Sequence, residues 1–94
     1  MPDHLRSTYE MVECAFPEGL PKDAYRSLIA VLVQVMSNRA LARFLEHYLD
    51  MEYADALYDV YEIGVDGLQP DEPNWVEEVE QKLKRCGFDD WLEE

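Results

Sequence analysis

The stretch Leu28-Ile29-Ala30-Val31-Leu32-Val33-Gln34-Val35-Met36 decides how the chain can fold. Projected at 100° per residue, Tyr25, Leu28, Ile29, Leu32, Val33, Val35 and Met36 cover roughly 200° of a helix. Arg26, Ser27, Ala30 and Gln34 form the wedge that remains. A surface helix carries a narrower apolar stripe, so this one is expected to be covered on several sides. It falls well short of the roughly 20 apolar residues that span a bilayer. A central helix in a small all-α bundle is the reading that follows.

The flanking residues extend that reading. Leu5, Tyr9, Val12 and Phe16 fall at helical spacing, and Pro17, Gly19 and Pro21 then turn the chain. Ser37 is placed to cap a third helix whose apolar positions are Leu41, Phe44, Leu45, Tyr48 and Leu49. Asp50 is expected to start a fourth helix, with Ala54, Leu57, Tyr58 and Tyr61 facing inward. Gly64 and Gly67 open a loop through Pro70 to Pro73. Asn74 and Glu77 have the spacing of a capping box for a fifth helix. Trp75, Val76, Val79 and Leu83 are its inward positions, Lys82, Lys84 and Arg85 suit its last turn, and Gly87 closes it. Residues 88–94 form a short acidic tail that either packs back or extends. The expected architecture is a single domain, 1–94, of four or five helices.

The turn Phe16-Pro17-Glu18-Gly19-Leu20-Pro21, followed by Asp23, Tyr25, Leu28, Ile29 and Leu32, resembles the opening of a family of small all-helical actinobacterial proteins. That family is catalogued as a domain of unknown function. The ending is similar too: Pro73, Val79, Leu83, Gly87 and Phe88 match a Pro-initiated helix closed by Gly and an aromatic residue. The likeness covers about two-thirds of the chain. It implies an all-helical bacterial protein and transfers no catalytic residue.

The charge is lopsided: 21 acidic residues against 8 Lys and Arg give a formal net charge of −13. Binding to nucleic-acid phosphates needs clustered cations, and anionic membranes are disfavoured on the same ground. A basic protein partner, or none, fits the charge. No Lys or Arg occurs between Arg43 and Lys82, an interval rich in Asp and Glu. Within it Glu52, Asp55, Asp59 and Glu62 recur at helical spacing, where like charges cost a few tenths of a kcal/mol per pair. This face is either a solvated surface kept for solubility or a docking surface for a basic protein. Tyr53 is the candidate exposed anchor beside it, since Tyr is favoured at interface hot spots.

Chemistry-bearing motifs are absent. No phosphate loop, dinucleotide fingerprint, nucleophile elbow or calcium loop is present. His47 lies near Glu46 and Asp50, but a metal site needs three or four converging ligands. A Cys14–His47 nucleophile pair would need the fold to bring the two together. Cys14 and Cys86 have no metal-ligand spacing. They read as two free thiols of a cytoplasmic protein, a bridge between helix ends being the alternative. The N-terminus has no signal-peptide pattern. Together these features point to a non-enzymatic interaction module without cofactor or metal. It would bind a basic partner through Glu52, Tyr53, Asp55, Asp59 and Glu62, an immunity or antitoxin role being one version. The competing readings are a self-associating structural protein and, more remotely, a small metal or thiol enzyme. Monomer and homodimer are equally open.

Overall fold

The computed structural model describes residues 1–93; Glu94, the end of the expected tail, lies outside them. The fold is all-helical. Among the described residues there are six α-helices, not the four or five expected: α1 (Arg6–Ala15), α2 (Tyr25–Leu32), α3 (Asn38–Tyr48), α4 (Tyr53–Asp66), α5 (Val76–Arg85) and α6 (Phe88–Leu92). A 3-10 turn, Asp3–Leu5, leads into α1 and another, Lys22–Ala24, into α2. The radius of gyration, 12.2 Å, matches the value of about 12 Å for a chain of this length packed around one core.

The core follows from the apolar spacing. Leu28, Ile29 and Leu32 of α2 are fully buried, as are Leu41, Phe44 and Leu45 of α3 and Leu83 of α5. Helix α2 packs against α4 and α5, α3 lies along α4, and α1 touches α5, α3 and α6. The stretch that suggested the fold is helical for less of its length than expected. Its last helical residue is Leu32, and Val35 is 42% exposed. Ser37 caps α3 immediately afterwards by accepting the Ala40 N–H, so the chain reverses between Leu32 and Ser37.

Asp50 belongs to the end of α3 rather than to the start of α4. It holds φ at +53°, while the Met51 N–H reaches back to the Glu46 carbonyl. This is the 6→1 bond of a left-handed helix stop, a conformation Asp tolerates better than most residues. Gly87 does close α5 with positive φ, as its position suggested. The expected capping box does not form: Trp75 is the N-cap of α5, Asn74 Oδ1 accepts the Val76 N–H from one residue before it, and Glu77 is exposed. Trp75, expected inside, is 39% exposed; its backbone N–H donates to the buried Ser27 hydroxyl instead. The tail packs back as α6. Phe88 is buried, and the Trp91 indole N–H donates to the buried Thr8 hydroxyl.

Cys14 and Cys86 are bridged, not free. They sit at the C-terminal ends of α1 and α5, with Cα atoms 5.9 Å apart although 72 residues separate them in sequence. Spacing along the chain carries no record of that proximity, because it arises only when α1 packs on α5.

Two outcomes test this arrangement. Leu32→Ala should cost about 2–5 kcal/mol in urea unfolding, as truncations of buried Leu do; a loss below about 1 kcal/mol would place Leu32 outside the core. Removing the crosslink should cost about 2–4 kcal/mol, given the long loop it closes. Urea melts with and without dithiothreitol, repeated on Cys14→Ser, read this directly. Coincident curves would mean the bridge contributes nothing in solution.

Candidate interaction surface

Helix α4 and its N-cap carry the five residues of the candidate docking face, and the structure divides them. Glu52 is exposed at the N-cap, and Asp55 is exposed in the first turn, where the helix dipole favours an acid. Asp59 and Glu62 turn toward α2. Asp59 accepts a 2.6 Å hydrogen bond from the Tyr25 hydroxyl, and Glu62 lies 2.9 Å from the Arg26 guanidinium. The same guanidinium is bonded to Glu72, whose other oxygen accepts the Gln69 backbone N–H. The expectation of a carboxylate row without a cation within reach is therefore corrected. Arg26 lies 36 residues from Glu62 in the chain, and only the packing of α2 on α4 brings them together.

This constellation sets the local electrostatics. Burial, and then the bond to Asp59, push the Tyr25 hydroxyl above the usual tyrosine range. The Gln69 N–H, and then Arg26, hold the Glu72 carboxyl below the usual glutamate range. Ser27 completes the set by accepting the Trp75 N–H. Three consecutive residues, Tyr25, Arg26 and Ser27, thus fasten α2 to α4 and to the segment before α5.

Tyr53 is not a free anchor. It is half-buried against the core, with the Arg43 guanidinium 3.9 Å from its ring centre. The buried face of α4 consists of Ala56, Val60 and Ile63. Tyr58 and Tyr61, expected inside, are 68% and 49% exposed, Val65 is 81% exposed, and Ala54 is exposed as well. The reason is that α4 carries two apolar stripes. Ala54, Tyr58, Tyr61 and Val65 recur at i, i+4, i+7 and i+11; Tyr53, Ala56, Val60 and Ile63 recur at i, i+3, i+7 and i+10. Periodicity finds both, but only the tertiary partner decides which turns inward. Of the four positions expected inward, Leu57 packs against the core, while Ala54, Tyr58 and Tyr61 lie on the outer stripe with Val65.

The chemistry considered for His47 gains no partners. It is exposed in the last turn of α3, lining a shallow hollow with Glu46, Asp50, Met51 and Glu52. Cys14 is committed to its bridge, which leaves no thiol for a pair with His47. Among the described residues no group of three or more His, Cys, Asp or Glu is placed to hold a metal ion. Among them, too, no helix is long and apolar enough to cross a membrane.

No family model, no curated protein and no solved structure matches the chain.

The split among the carboxylates has a measurable consequence. Asp59→Ala should destabilise the protein by about 1–2 kcal/mol, since it leaves the half-buried Tyr25 hydroxyl with only the weak Met51 Sδ acceptor. Asp55→Asn, at an exposed position, should stay within about 0.5 kcal/mol of the parent. Equal effects in urea melts would mean that Tyr25 and Asp59 do not act as a pair.

Proposed function

We propose that this protein is a non-enzymatic interaction module whose α4 surface meets a basic partner protein. The observation that carries this reading is the exposed apolar stripe of α4 running beside the exposed carboxylates Asp55 and Asp66. Large apolar side chains in a row on a small surface are characteristic of contact sites. Carboxylates beside them select a cationic partner and speed its approach. With Asp59 and Glu62 engaged by Tyr25 and Arg26, Glu52 and Asp55 are the carboxylates of the original set left to meet that partner, and Tyr53 packs inward against the core. An immunity or antitoxin role is one version of the reading, and kinship with the small actinobacterial helical proteins is compatible with it.

The charge of −13 also supports a protein that avoids nucleic acid and anionic membranes. No cofactor is invoked. The cytoplasm is the location proposed from the sequence. The disulfide weighs the other way, because such bridges persist mainly in oxidising compartments. In a reducing cytoplasm the two thiols would separate, and the fold would rest on its core alone.

Affinity capture from the native host, at low salt and at about 0.15 M, tests the reading. A basic protein should be retained, less so as salt rises, and a Glu52→Gln, Asp55→Asn variant should retain several-fold less of it at low salt. Capture that ignores both salt and the charge change would defeat the proposal.

A further inference from the structure

We infer that the partner presents a single amphipathic basic helix, laid along α4 over Ala54, Tyr58, Tyr61 and Val65. This rests on the interaction-module reading and deepens it. The four positions repeat at alternating intervals of four and three residues, the seam along which one helix packs on another. They span three turns, about 16 Å of axis at 1.5 Å per residue. All four are exposed, while α2 and α3 cover other sides of α4. A helix is the element whose apolar ridge matches such a straight row.

Charge fixes the character of that helix. On a 100° projection Glu62, Asp55 and Asp66 follow one another outward along one edge of the stripe. Glu62 is already met by Arg26, whereas Asp55 and Asp66 are exposed. The other edge is neutral, formed by Leu57 and Gly64. The occupant therefore needs Lys or Arg along one border of its apolar face. Asp66 adds a specific demand. It sits in the last turn of α4, where the dipole disfavours an acid, and that turn contains no basic residue. A cation from the partner would relieve both. A second copy is a poor occupant, because an antiparallel α4 pair would set acidic edges together and any pairing would join chains that each carry −13.

The probe is a synthetic amidated peptide of about 18 residues, long enough to hold helix on a surface. It carries Leu at i, i+3, i+4 and i+7 with Lys along one border. A scrambled peptide of the same composition is the control. Binding is followed by amide chemical-shift changes in the intact, oxidised protein. The amphipathic peptide should perturb residues 54–66 and bind at least about tenfold tighter than the scrambled one, the margin set by burying a few anchors. Tyr58→Ser with Val65→Ser, both surface changes, should remove that margin without altering the unfolding midpoint. Asp55→Asn with Asp66→Asn should weaken binding and flatten its salt dependence. Equal binding of the two peptides, or a Ser variant that binds like the parent, overturns the helix inference and leaves the basic-partner reading standing. Failure of both peptides to bind even at low salt overturns the two together. Light scattering that shows a dimer, dissociated by the Ser variant, overturns the choice of occupant in favour of a second copy.

Discussion

Arg26 is the constraint on which the rest of the structure depends. It lies at the second position of α2, half-buried, and its guanidinium meets Glu62 of α4 and Glu72 of the loop that follows. In a chain with 21 acids and 8 Lys and Arg, a cation placed between two elements does more than join a pair. It cancels repulsion where two acidic segments must converge. Tyr25 and Ser27, on either side of it, satisfy Asp59 and the Trp75 N–H. Partly buried ion pairs contribute modestly to net stability once desolvation is subtracted. Their value here is directional: four contacts from three consecutive residues fix how α4 and the segment before α5 sit against α2, and the apolar core then fills in beneath.

That geometry divides α4 into zones with different duties. The inward zone, Ala56, Val60 and Ile63, supplies core. The zone facing α2 supplies Asp59 and Glu62, whose charges are spent inside the molecule. The outward zone is left with tyrosines and a valine bordered by unmatched acids. Stability and recognition thus draw on separate sides of one helix, so substitutions on the outer side are free to tune a partner without loosening the fold.

How much of this could be read in the sequence depends on whether the deciding contacts are local. The α3 stripe and its Ser37 cap, and the Gly87 stop, were legible because residues within two helical turns determine them. The all-helical class was legible for the same reason. What failed was long-range. The second stripe of α4 matched the first in period, so Tyr58 and Tyr61 could be placed inward as reasonably as Val60 and Ile63. The pairing of Arg26 with Glu62 and Glu72, and the bridge between Cys14 and Cys86, depend on which helices end up side by side. The early end of α2 and the outward Trp75 belong to the same class, being set by where the chain must turn to close the bundle.

The bridge also changes the topology of the molecule. With Cys14 joined to Cys86, the chain from 14 to 86 is a closed covalent ring bearing two short arms. Helices α2, α3, α4 and α5 lie wholly within the ring, as does every loop between them. A single backbone cut in any of those loops, including the turn after Pro70, opens the ring without releasing a fragment. The nicked protein would migrate as one species until reduced, and its two pieces would remain held at the base of the bundle, positioned to refold around each other.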